Sequence, residues 1–265
     1  MSTPCACVFF DIDGVIRDVS RSYRRALADT VEHFTGGAYR PSQKEIDNLK
    51  AEGCWNNDWE GSRELIYRYF ERQGKPRCQV PLDYERLVIF FEERYSGENW
   101  CGYIQDEPLL VDVAYFQAFD QAQIRWGFVS GATRDSAEYV LKHRLGLDQP
   151  LLIAMEDAPG KPDPTGLRMA YRQAAAQETI PAFYVGDTVA DMQTVVNARK
   201  EQATTPWIAL GVIPPHVQPE DRQRYGDRLR SAGASAVFEH TRDITPAMVA
   251  AFLGQLAAHD SNCGQ

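Results

Sequence analysis

The sequence lacks any Cys-x-x-Cys pair. Its six cysteines, Cys5, Cys7, Cys54, Cys78, Cys101 and Cys263, are scattered along the chain. That spacing excludes a zinc-ribbon pattern and a disulfide framework, and makes a reduced, cytoplasmic setting the default expectation. Cys5 and Cys7 are expected in the core of a first strand, because free cysteine behaves as a small buried hydrophobe. No apolar run approaches the ~20 residues that span a bilayer. The N-terminus shows neither a basic segment nor a long apolar stretch, so neither a membrane association nor a signal peptide is expected. Positive charge is in deficit: 28 Lys and Arg stand against 37 Asp and Glu, a net charge of −9 that argues against general nucleic-acid binding. Repeats, low-complexity tracts and long flexible linkers are also missing. What remains is a globular composition, 44% hydrophobic and 25% charged, on 265 residues that suffice for one large domain or two.

Short apolar runs alternate with helical patterns. Strands are predicted at Cys5–Phe10, Ile124–Val129, Leu151–Ala154, Ala182–Val185, Trp207–Val212 and Ala236–Phe238. Helical patterns cover Val111–Ala122, Asp135–Leu145, Thr165–Ala176, Val189–Arg199 and Glu220–Ser231, and Thr245-Pro246 reads as the start of a last helix. This alternation predicts an α/β fold with a doubly wound parallel sheet. The stretch between the first two strands breaks the rhythm. Tyr23, Leu27, Val31 and Phe34 line one helical face, Ser42-x-x-Glu45 opens a second helix as a capping box, and two further helices follow around Ile66 and Phe91. An inserted all-helical domain over residues 17–104 is expected, with the sheet domain formed by residues 1–16 and 105–265.

Four predicted strand ends carry polar residues suited to one reaction. The first strand runs into Asp11-Ile12-Asp13-Gly14, and residues two apart on a strand share a face. The two carboxylates therefore repel each other unless a cation or a shared proton relieves them. The second strand ends in Ser130-Gly131, a hydroxyl and N–H groups ahead of a helix, where an anion is favoured. Gly160-Lys161-Pro162-Asp163-Pro164 follows the third, and Gly186-Asp187-Thr188-Val189-Ala190-Asp191 ends the fourth. Each element alone is an ordinary turn or helix cap. Together they suit phosphoryl transfer: oxygen ligands for Mg²⁺, a carboxylate to attack phosphorus, a second to move the proton, and a hydroxyl with a lysine to hold the phosphoryl oxygens.

These four motifs, in this order, resemble those of the haloacid dehalogenase superfamily, and the insert after the first resembles the helical cap of its phosphoglycolate phosphatase and β-phosphoglucomutase branch. The resemblance implies a Rossmann-like core, Mg²⁺ dependence and a cap that closes over the substrate. By position it implies Asp11 as nucleophile and metal ligand. Asp13 would be the acid/base, giving its backbone carbonyl to the metal. Ser130, Gly131 and Lys161 would bind phosphate, Asp187 would be a metal ligand, and Asp191 would act at the metal directly or through a bound water. Members that attack carbon lack the second aspartate, so Asp13 argues against dehalogenation. Phosphonate hydrolysis would need a Schiff-base lysine from the cap, for which Lys44 and Lys50 are the candidates. A phosphomutase of the same fold and a non-catalytic binding protein stay open as alternatives, the former weakened because Asp18-Val19-Ser20 departs from the mutase pattern.

The implied partner is a small phosphorylated metabolite, acted on by a monomer or homodimer. In the insert, Cys54-Trp55-Asn56-Asn57-Asp58-Trp59 sets two tryptophans around short polar side chains. Trp55 and Asn56 are candidate substrate contacts. The alternative is a helix-to-helix turn whose tryptophans plug the core while Asn57 or Asp58 caps the next helix. Arg17, Arg21, Arg24 and Arg25 cluster at the start of the insert, where Arg17 or Arg21 could read an acidic group on the substrate. A solvated helix face is the competing reading.

Overall fold

The computed structural model describes residues 5–55, 57–175 and 179–262. The chain divides into two compact units, Met1–Asp18 with Leu109–Gln265, and Val19–Pro108. The first is built on a six-stranded, all-parallel sheet of β1 (Ala6–Phe10), β2 (Ile124–Val129), β3 (Leu152–Ile153), β4 (Ala182–Gly186), β5 (Trp207–Val212) and β6 (Ala236–Phe238), in the order β3-β2-β1-β4-β5-β6. The chain goes from β1 to one side of the sheet, then crosses back to β4 on the other. Between β1 and β4 lies the reversal point at which open α/β sheets form a crevice beyond their carboxyl ends. Register then decides which side chains meet. Phe10 pairs with Phe128 on β2 and with Val185 on β4, so Asp11, Ser130 and Asp187 follow three adjacent strand ends. β1 begins at Ala6; Cys7 is buried, but Cys5 lies before the strand and is exposed, contrary to its expected core position.

The second unit is all-helical, with α1 (Tyr23–Phe34), α2 (Gln43–Ala51), α3 (Asp58–Arg72) and α4 (Tyr84–Tyr95). Its core forms from Leu27 and Val31 of α1, Ile46 and Leu49 of α2, Leu65 and Ile66 of α3, and Leu87 and Phe91 of α4. In α1, α2 and α4 these residues are three or four apart, and in α3 Leu65 and Ile66 lie four on from the buried Gly61 and Ser62, so each helix has one buried face. Ser42 and Glu45 close the capping box at the start of α2. Asn57 is the N-cap of α3, accepting hydrogen bonds from the N–H groups of Trp59 and Glu60.

In the sheet unit, α5 (Val113–Gln121), α6 (Arg134–Glu138), α7 (Thr165–Ala175), α8 (Val189–Glu201), α9 (Arg222–Ser231) and α10 (Pro246–Asn262) separate and follow the strands, and a π-helical turn, Tyr139–Arg144, extends α6. One sheet face is covered by Leu167, Tyr171, Met192 and Val195 packed on Cys7, Phe9 and Tyr184. The other carries an aromatic cluster in which Phe10 meets Phe116, Phe119 and Phe128 at centroid distances of 5.6, 5.8 and 6.2 Å. Burying each such ring stabilises the fold by about 1.5–3 kcal/mol. Among the described residues, no helix is long and apolar enough to cross a membrane.

Candidate active site

The site is built at the carboxyl ends of β1, β2 and β4. Asp11 continues β1, its N–H donating to the Val185 carbonyl oxygen at 2.8 Å. The chain then turns at once. Ile16 N–H and Arg17 N–H both reach the Ile12 carbonyl oxygen, at 2.7 and 3.2 Å, and Gly14 N–H reaches that of Arg17 at 2.9 Å. Gly14 sits at φ +75°, and a Cβ there would overlap the Asp187 carboxylate. Only glycine lets the first motif pass this close to the fourth.

Lys161 joins two of the carboxylates. Its Nζ lies 2.5 Å from Asp191 Oδ1 and 2.9 Å from Asp11 Oδ1. Its loop is held at both ends: Asn197 Nδ2 donates to the Pro162 carbonyl oxygen at 3.0 Å, and Asp163 accepts from Thr165 N–H at 2.9 Å as α7 begins. Asp191 is completely engaged. Oδ1 receives Lys161 and lies 3.1 Å from the Tyr184 hydroxyl, while Oδ2 accepts from Thr188 Oγ1 at 2.6 Å and Thr188 N–H at 2.9 Å. Tyr184 OH is also 3.0 Å from the Val129 carbonyl oxygen. Asp191 is thus the fixed anchor for Lys161, and Thr188 is the N-cap of α8 as its residue type suggests.

Asp11, Asp187 and Asp191 are all buried, and their ligand atoms lie within 4.8 Å of one another. Burial first, then the neighbouring charges of Asp191 and Asp13, pushes the Asp11 carboxyl up to about 7 despite the opposing pull of Lys161. Burial, followed by the charges of Asp191 and Asp11, raises Asp187 well above the usual carboxylate range. Burial alone would lower Lys161, but Asp11 and Asp191 hold its ammonium well above its ordinary value. Asp11 Oδ1 is shielded from solvent, and its polar neighbour is the Lys161 ammonium 2.9 Å away, an ion pair that leaves the buried oxygen short of a full set of hydrogen bonds among the described residues. An incompletely satisfied buried oxygen beside a second buried carboxylate is the donor set of a hard divalent cation. The residues present therefore fit a metal.

The other expected site residues fall as follows. Ser130 is buried and its Oγ accepts the Ala132 N–H at 3.1 Å, so that N–H, expected to be open to an anion, is already used. Gly131 is exposed, with open space where a side chain would begin. Arg17 belongs to the sheet unit and is 1% exposed, its Nε donating to Asp13 Oδ1 at 2.6 Å. Arg24 is buried too, paired with Asp47 at 2.5 Å. A solvated face therefore describes only Arg21 and Arg25 of that cluster, because the other two each found a carboxylate. Trp55 and Trp59 lie in the helical unit, partly exposed rather than plugging its core, with Nε1 groups bonded to Glu52 and Glu92 at 2.8 and 3.0 Å. Asn56 lies outside the described residues. Lys50 pairs with Asp58 at 2.8 Å. No sequence pattern marks the Arg17–Asp13 pair; for Tyr184 the signal is a hydroxyl-bearing residue within an otherwise apolar strand.

A family model described as haloacid dehalogenase-like hydrolase matches residues 5–199, which includes all four motifs. The chain belongs to the haloacid dehalogenase-like hydrolase family. Among solved structures it is similar to phosphatase Tt82 from Thermococcus thioreducens, with a TM-score of 0.63 and 20% identity over 84% of this chain and 98% of that one. It is also similar to CbbY from Rhodobacter sphaeroides in complex with phosphate, with a TM-score of 0.61 and 18% identity over 91% of this chain and 96% of that one. At such identities the likeness is one of fold. A curated relative from Phytophthora nicotianae, named imidazoleglycerol-phosphate dehydratase, is 30% identical over 245 residues. The match covers 89% of this hydrolase-family chain but only 51% of that protein, so the chain spans about half the length of its relative.

Proposed function

We propose that this chain is a Mg²⁺-dependent phosphatase that hydrolyses a small phosphomonoester, a phosphorylated acid or sugar, through an aspartyl-phosphate on Asp11. The observation that carries the reading is the buried set of Asp11, Asp187 and Asp191 near adjoining strand ends, with Lys161 joining Asp11 to Asp191. In the first step the Asp11 carboxylate attacks phosphorus, the ester P–O bond breaks, and Asp13 gives its proton to the leaving oxygen. In the second, water attacks the phosphoryl group and passes a proton back to Asp13. The bond to Asp11 then breaks and inorganic phosphate leaves. Lys161 and the Ser130 hydroxyl are the donors for the phosphoryl oxygens, where transition-state charge is spread. Mg²⁺ held by Asp11, Asp187 and the Asp13 carbonyl would supply positive charge that favours the ionised carboxylates and the phosphoryl oxygens.

The dehydratase name describes a relative about twice as long, and a carboxylate–lysine site of this kind suits cleavage of a P–O bond. Imidazoleglycerol phosphate is itself a phosphomonoester and belongs in the substrate panel. The test is release of inorganic phosphate by the purified protein with Mg²⁺ from a panel of phosphorylated acids, sugars and imidazole-bearing esters. We expect one class to be turned over well above the rest. Conversion of a hexose 1-phosphate to its isomer without free phosphate would support a mutase instead, and no turnover of any ester would defeat the enzymatic reading.

A further inference from the structure

Arg17 is the bulkiest of the fully buried side chains among the described residues, ahead of every tyrosine and phenylalanine. Burying a guanidinium is costly, and a buried ion pair is poor evidence of a role in stability, since apolar replacements commonly serve as well. Its location suggests another reason. Arg17 Nε donates to Asp13 Oδ1 at 2.6 Å, and Nη2 reaches Ser136 Oγ at 3.4 Å at the start of α6. The backbone reinforces the pair, because Asp13 and Arg17 also face each other in an isolated parallel bridge and Arg17 bridges to Leu109 on its other side. Asp13 is therefore gripped through both its main chain and one carboxylate oxygen.

We propose that Arg17 is a positioning residue that makes the two oxygens of Asp13 inequivalent. Two hydrogens do not fit between heavy atoms 2.6 Å apart. While Nε–H points at Oδ1, the proton that Asp13 exchanges rides on Oδ2. Arg17 thereby sets which oxygen faces the reaction and holds its direction, with Ser136 bracing the guanidinium from α6. The inference rests on the phosphatase reading above. In that reaction the proton on Oδ2 moves to the leaving oxygen as the ester P–O bond breaks, and Oδ2 takes a proton from the attacking water as the Asp11–phosphorus bond breaks.

Leaving-group dependence tests this, because an acidic leaving group departs without a proton and a basic one does not. The probes are p-nitrophenyl phosphate, phenyl phosphate and the alkyl phosphate turned over fastest, each followed by kcat/KM so that only steps through loss of the leaving group count. Arg17→Met should lower kcat/KM for the alkyl phosphate by about 10–100-fold, within the range of general acid catalysis, and for p-nitrophenyl phosphate by less than about 3-fold. Arg17→Lys should recover part of the alkyl activity. On an Asp13→Asn background, Arg17→Met should add less than about 2-fold, since both changes remove one function. Equal losses on all three probes, or full additivity in the double variant, would overturn the assignment while leaving the phosphatase reading intact. Wild-type protein that releases phosphate from none of the probes would overturn both. If Arg17→Met lacks a cooperative melt, Arg17→Lys and the charge-matched double variant decide the question on the same readouts.

Discussion

In the sheet unit the charged side chains of the site are withdrawn from water: Asp11, Arg17, Asp187 and Asp191 are 5%, 1%, 7% and 0% exposed. The helical unit buries Arg24 and Glu64 but leaves most of one charged network in water. There Arg77 pairs with Glu64 and Glu71, and Arg68 with Glu64 and Glu52, on a surface where Arg77, Glu71 and Glu52 keep between 40% and 45% of their side chains in solvent. A hydrogen bond from Arg68, then one from Trp55, holds Glu52 down to about 2. Water screens such pairs, and each contributes little to stability. Burial costs Asp11 and Asp187 their ease of ionisation. Strongly perturbed groups clustered in one place are the mark of a functional site, whereas the insert's ion pairs are accounted for by solubility and helix-surface complementarity.

The contrast is broken most severely at Asp11. Asp11→Asn should lower phosphate release by at least about 10⁴-fold, the scale of losing a nucleophile. The metal-free variant should nevertheless melt no lower than wild type at neutral pH, because it removes a buried carboxyl whose ionisation opposes folding. A drop in melting temperature would mean that Asp11 serves the fold.

A smaller effect follows from pH. The Asp11 carboxyl, raised to about 7 in the folded protein, binds its proton more tightly than in the unfolded chain, where its pKa is about 4. The stability it contributes is complete below about pH 4 and is lost as pH rises through about 7. Denaturation of metal-free protein between these limits should show wild type losing stability relative to Asp11→Asn as pH increases. Saturating Mg²⁺ at neutral pH should restore about 2.7 kcal/mol at a hundredfold excess over Kd. A wild type that gains on the variant as pH rises would defeat the account of the buried carboxylates.

The smallest effect is expected in the helical unit. Arg77→Ala should cost less than about 1 kcal/mol in denaturant unfolding, and about 1 M salt should shrink the difference further, because exposed pairs are screened. A larger, salt-insensitive loss would place part of that network in the core, through the buried Glu64 that Arg77 contacts.

The sequence by itself determined the elements and the chemistry offered at their ends. Six apolar runs became six parallel strands; carboxylate or hydroxyl residues directly follow β1, β2 and β4, and the lysine lies in the loop between β3 and α7. The Ser42–Glu45 capping box formed where its spacing predicts. These are local signals: apolar period, cap residue and turn residue act within a few positions of one another. Tertiary structure alone decided how the polar groups are partnered. Arg17, in a run of arginines that reads as a solvated face, is buried because a glycine turn folds it back onto Asp13 and α6 supplies Ser136 from 119 residues away. Asp191 is saturated because strand order brings Lys161 and Tyr184 to it. Cys5, which continues an apolar run, is exposed because the sheet begins one residue later. An apolar side chain needs only an interior, which periodicity encodes. A buried charge needs one particular partner, and that partner is set by strand order and register, which no local pattern carries.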